Sequence, residues 1–130
     1  MIGGDVVAKI LIVEDEIDTA RVLEKRMRDL GHDVIVVYDA CFGTQQVLKG
    51  DQDLIILDLM LPAGGGISIL ENMKMYAPEK QVPIVVLTAM RDDERKKRVL
   101  ELGVAAYIEK PYDPEYLKNT IKTVLAERGK

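Results

Sequence analysis

The residues best suited to chemistry each close or follow a short apolar run. Glu14-Asp15-Glu16 follows Ile10-Leu11-Ile12-Val13, and Asp58 follows Leu54-Ile55-Ile56-Leu57. Thr88 closes Ile84-Val85-Val86-Leu87, and Glu109-Lys110-Pro111 follows Val104 to Ile108. Crowded carboxylates repel one another unless a cation joins them. Oxygen ligands without histidine or cysteine favour a hard ion such as Mg²⁺. A lysine and a hydroxyl beside that cluster can hold phosphoryl oxygens. An aspartate carboxylate is a competent nucleophile for phosphoryl transfer and forms an aspartyl phosphate. Metal, lysine and hydroxyl would stabilise the charge of the group in transfer. Asp58 is therefore the candidate reactive residue.

The secondary structure around these side chains follows from the same runs. The runs are continuous rather than alternating, as in strands covered on both faces of a parallel sheet. A further run is Val34-Ile35-Val36-Val37. Between the runs lie segments of helical period. Ala20, Leu23, Met27 and Leu30 mark a first helix, stopped by Gly31. Val47 and Leu48 precede a stop at Gly50, Ile67, Leu70 and Met73 mark a third helix, and Val99, Leu100 and Leu102 precede Gly103. The last helix opens with Asp113 as N-cap and Pro114 at the first position, with Leu117, Ile121, Val124 and Leu125 on its apolar face. Five strand-helix units joined by right-handed crossovers predict an α/β fold, an open doubly wound sheet. Such sheets bind ligands at the carboxyl ends of their strands, where all the candidate residues fall.

Bulk properties bound the alternatives. A chain of 130 residues fits one domain. The expected division is a leader over 1–7, the domain over 8–127 and a tail over 128–130. A formal net charge of -4 is a poor footprint for nucleic acid. The basic run Arg95 to Arg98 follows Asp92-Asp93-Glu94 and reads as one solvated helix face carrying both signs. The single cysteine, Cys41, allows no intrachain disulfide and suits a reducing cytoplasm. No apolar run approaches the ~20 residues of a membrane span, and the first residues do not read as a signal peptide.

Together these pieces closely resemble the receiver domain of bacterial two-component response regulators. The resemblance is carried, over about residues 8–127, by Ile10-Leu11-Ile12-Val13-Glu14-Asp15-Glu16, by Asp58-Leu59-Met60-Leu61-Pro62 with Gly66, by Leu87-Thr88-Ala89 and by Tyr107-Ile108-Glu109-Lys110-Pro111. It implies a flavodoxin-like (βα)5 sheet of strand order 2-1-3-4-5. Asp58 would accept a phosphoryl group from a histidine kinase or a phosphotransfer protein. Asp15 and Asp58 would bind Mg²⁺ through carboxylates, Met60 through its carbonyl and Glu14 through water. Lys110 would pair with Asp58 and then with the phosphoryl group, and Thr88 would turn its hydroxyl to it. Tyr107 would swing inward as Thr88 moves, and small Ala89 would leave room for the donor. A cis peptide is implied before Pro111.

Several residues read more plainly. His32 is expected on a surface turn, Cys41 as a packed small hydrophobe, and Glu16 as a cap or solvent-facing acid. Met27, Met73 and Met75 are core or rim. Gly64-Gly65-Gly66 lacks the lysine and hydroxyl of a P-loop and reads as a mobile connection. Relatives with winged-helix outputs dimerise through an acidic pair and an arginine, where this chain has Ala105, Ala106 and Thr120. A monomer is expected, with Ala105 and Ala106 beside Tyr107 on a face, built from the fourth helix, fifth strand and fifth helix, that docks another protein. Met60 and Met90 cannot orient an attacking water, so slow dephosphorylation is expected. An aspartate-nucleophile phosphatase would want a second aspartate where Met60 stands. A signalling switch therefore leads over an enzyme, with a degenerate binding module as the alternative.

Overall fold

The computed structural model describes residues 7–62, 65–76 and 81–128. Most of the expected leader and the last two residues lie outside that set. In chain order the elements are β1 (Lys9–Val13), α1 (Ile17–Asp29), β2 (Asp33–Val37), α2 (Ala40–Lys49) and β3 (Leu54–Leu57). There follow α3 (Gly65–Tyr76), β4 (Ile84–Thr88), α4 (Asp93–Glu101), β5 (Ala106–Glu109) and α5 (Pro114–Arg128). All strand pairs are parallel and the sheet runs β2-β1-β3-β4-β5, the order the resemblance implies.

Burial explains why the runs are continuous. β3 and β4 are buried at every position, because both sheet faces are covered. Alternate side chains then feed two cores. Ile10, Ile12, Leu54, Ile56, Val85 and Leu87 pack with α1 and α5 through Leu23, Met27, Leu117 and Ile121. Leu11, Val13, Ile55, Leu57 and Val86 pack on the other face with Val47, Ile69, Met73 and Val99. Edge strands β2 and β5 are less buried, as their positions require.

Local chemistry sets the helix ends. The side chains of Asp39, Asp92 and Asp113 accept backbone N–H groups at the starts of α2, α4 and α5. Glu16 holds the N-cap position of α1, is exposed and makes no side-chain capping bond. The glycine stops Gly31, Gly50 and Gly103 all have positive φ. The Lys110–Pro111 peptide is cis.

Four expectations need correction. His32 is not on the surface: it is 8% exposed and its Nδ1 accepts the Ala8 N–H at 3.0 Å. Gly31 N–H bonds the Arg28 carbonyl and His32 N–H the Met27 carbonyl, a Schellman turn that folds the second residue past the helix inward. Cys41 is exposed rather than packed. α2 buries Gly43 and Val47, and two positions from Gly43 is a rotation of about 200°, nearly the opposite side. The fifth run is displaced, since β5 begins at Ala106 and not at Val104. Of the proposed glycine connection, Gly64 lies outside the described residues, but Gly65 and Gly66 open α3. A Cβ on Gly66 would lie 2.5 Å from the Asp58 carbonyl oxygen and 3.0 Å from the Leu59 Cα. That glycine serves close approach of α3 to the segment carrying Asp58.

Candidate functional site

Parallel register brings the strand ends together. Val13 aligns with Leu57, Leu57 with Val86 and Thr88 with Glu109, so the residues just beyond share one edge. The Asp58 N–H donates to the Val13 carbonyl at 3.1 Å, which anchors Asp58 beside β1.

Asp58 is 5% exposed, and both of its carboxylate oxygens accept hydrogen bonds. Its Oδ1 accepts the Met60 N–H at 2.9 Å and the Thr88 hydroxyl at 2.8 Å, and its Oδ2 accepts the Lys110 ammonium at 3.1 Å. Burial alone would push this carboxyl up. The bonds from Met60, Thr88 and Lys110, with the lysine's charge, hold it below the ordinary carboxylate range. Asp58 is therefore ionised at neutral pH, as a nucleophile must be.

Glu14 has the opposite balance. It is 1% exposed, and burial together with the Asp58 charge raises its carboxyl despite the bond from Lys110. Lys110 bonds Glu14 at 2.6 Å, closer than it bonds Asp58. Burial disfavours the ammonium, but the two carboxylates more than offset that and raise its affinity for the proton. Lys110 is thus a cation shared by two buried acids, and not a partner of Asp58 alone.

Asp15 is half-buried, and Glu14, Asp15 and Asp58 each offer a carboxylate oxygen within 4.8 Å of the others. Three carboxylates and one ammonium leave a formal charge of −2 in this cluster. An all-oxygen donor set of that charge fits a hard divalent cation. Met60 is 56% exposed and Ala89 is also exposed, so the rim of the cluster is open to solvent. A cleft of about 690 Å³ adjoins it, lined by Asp15, Met60, Met90 and Arg95 among others.

Around Thr88 a second set of contacts joins the β4–α4 turn to β5. The Tyr107 hydroxyl donates to the Met90 carbonyl at 3.2 Å, and the Lys110 N–H donates to the Thr88 carbonyl at 2.9 Å. Burial and the nearby charges of Glu109 and Asp58 push the Tyr107 phenol up, so it stays a donor. Arg91 bonds both the Glu109 carboxylate at 2.8 Å and the Lys110 carbonyl at 3.0 Å. Sequence reading missed Arg91 and gave Glu109 no role. The two are 18 residues apart, and only the β4–β5 register brings them together.

Comparison with known proteins agrees with the fold. The family model described as response regulator receiver domain matches residues 10–122. Response regulator ArlR of Staphylococcus saprophyticus is 38% identical over 117 residues, covering 90% of this chain and 52% of that protein. The chain spans about half the length of the curated relatives it matches. A CheY-like response regulator receiver domain protein from Methanospirillum hungatei superposes with a TM-score of 0.87 at 26% identity, covering 95% of this chain and 98% of that one. The beryllofluoride-activated N-terminal receiver domain of Klebsiella pneumoniae RstA does so at 0.80 and 27% identity, over 90% and 97% of the two chains. With the family model covering most of its length, the five-stranded chain built around Asp58 belongs to the response regulator receiver domain family.

Proposed function

We propose that residues 8–127 act as a phosphoacceptor switch in two-component signalling, with Asp58 accepting a phosphoryl group from a histidine kinase or a phosphotransfer protein. The observation that carries this is the Asp58 carboxylate held by the Thr88 hydroxyl and the Lys110 ammonium beside two further carboxylates. Glu14, Asp15, Asp58 and the Met60 carbonyl would hold Mg²⁺, which when bound supplies positive charge beside the transferred phosphoryl oxygens. Asp58 attacks phosphorus with one carboxylate oxygen. The phosphorus–nitrogen bond of the donor phosphohistidine breaks, and the electron pair leaves with the imidazole. Lys110 and Thr88 then turn from the carboxylate to phosphoryl oxygens, and their contacts favour one of two arrangements of the β4–α4 turn and Tyr107. The reaction is a single transfer onto the protein, so the chain serves as a switch and not as an enzyme on small molecules.

Output passes through contacts with another protein on the α4–β5–α5 face, where Ala105 is exposed and Ala106 and Tyr107 are half-buried. The setting proposed is the cytoplasm. Among the described residues no helix is long and apolar enough to cross a membrane. Adding beryllofluoride with Mg²⁺ tests the reading by amide NMR. Shifts at Asp58, Thr88, Tyr107 and Lys110 that vanish with chelator are expected. Unchanged spectra would favour a degenerate module that binds partners without phosphorylation.

A further inference from the structure

We infer that Arg91 is a positioning residue for this site, acting through the main chain of Lys110; the inference rests on the phosphoacceptor reading. Lys110 is the only residue whose side chain bridges Glu14 and Asp58 among the described residues, so the placement of its backbone sets where the ammonium goes. That backbone is held on both sides, by the end of β4 and by the turn that follows it. Its N–H bonds the Thr88 carbonyl at 2.9 Å, and its carbonyl accepts from Arg91 Nη2 at 3.0 Å. The other terminal nitrogen, Nη1, bonds Glu109 Oε2 at 2.8 Å, and Glu109 is the register partner of Thr88. One planar fork thus ties a main-chain oxygen and a carboxylate on adjacent residues to the turn that begins at Thr88. Lysine cannot reproduce this two-point grip.

The clasp reaches the rest of the switch. Lys96 of α4 shares the Glu109 carboxylate at 3.6 Å and sits 5.1 Å above the Tyr107 ring. Tyr107 in turn holds the Met90 carbonyl, one residue before Arg91. Arg91 therefore closes a loop of contacts running from Thr88 through the turn to β5 and back to Lys110. Its side chain is 62% exposed and that of Glu109 40%, so the grip is weak in energy and open to salt screening. Its value lies in orientation, because a small displacement of Lys110 is felt in the transition state.

The test measures labelling rates with acetyl phosphate and Mg²⁺ for the intact chain, Arg91→Ala, Glu109→Ala, the double variant and Arg91→Lys, alongside thermal unfolding of each. Arg91→Ala should slow labelling on the order of threefold, and Glu109→Ala less, because Arg91 also keeps the Lys110 carbonyl. The double variant should be no slower than Arg91→Ala, since the two act as one device. Arg91→Lys should recover part of the loss, and raised salt should narrow the gap to the unaltered chain. Equal rates, additive effects or a salt-independent gap would overturn the inference, as would slowing that merely tracks loss of fold. If the unaltered chain takes no label, the phosphoacceptor reading fails first, and the inference with it.

Discussion

At Lys110 one ammonium serves two acids whose carboxyls are shifted in opposite directions, Asp58 down and Glu14 up. The residue types were legible in the sequence, because each stands at the end of an apolar run. Their pairing was not, since Lys110 and Glu14 are 96 residues apart and meet only through the fold. The two methionines near Asp58 differ as well. Met60 is exposed while Met90 is buried, so Met60 is the more open of the two to water. Neither thioether orients an attacking water by hydrogen bonds, so the phosphorylated chain should decay slowly. Met60→Asn, which supplies a donor and an acceptor there, should shorten its half-life, read by the loss of radiolabel. An unchanged or longer half-life would contradict this. His32 tests the correction to the surface reading. Burial lowers its pKa and the charge of Asp33 only partly opposes this, so the neutral ring is the folded form. Its contribution to stability is then complete above about 6.5 and is lost as pH falls through the lower folded value. As it is the only histidine, one imidazole titration by NMR decides the matter. A midpoint below about 6.5 is expected, and one at or above it would contradict the burial.

Among the elements, helix α3 is placed by what it lacks. Gly66 lets its first turn touch the Asp58 carbonyl, and no side chain fits there without moving backbone. Gly66→Ala should cost about 1–3 kcal/mol in urea unfolding and slow labelling of Asp58 as well. Gly43→Ala is the control, because the atoms it would meet are the side-chain tips of Ile69 and Val13, which can shift. Equal losses in the two variants would contradict this account. The strands and helix stops were legible because apolar runs, aspartate caps and glycines act locally. The helical start at Gly65 was not, since three glycines in a row carry no periodicity. Nor was the inward turn of His32, which depends on the Schellman bonds rather than on residue type.

For the whole molecule, the sheet order was legible through the resemblance, while partners and assembly were not. The α4–β5–α5 face has Ala105, Ala106 and Thr120 where ion pairs join dimers of winged-helix relatives. The Thr120 hydroxyl is already spent on the Tyr116 carbonyl at 2.8 Å, and Arg91 and Lys96 pair within the chain. Sedimentation should therefore report a monomer both with and without beryllofluoride, and a dimer appearing on its addition would contradict that. Every other expectation about signalling depends on Asp58 carrying the phosphoryl group. The most direct test is to treat the chain with acetyl phosphate and Mg²⁺, reduce it with borohydride and map the peptides by mass. Reduction of an aspartyl phosphate leaves homoserine. Homoserine at position 58, absent with chelator and absent in Asp58→Asn, is the predicted result; an unmodified Asp58, or homoserine at Asp15 instead, would contradict the account.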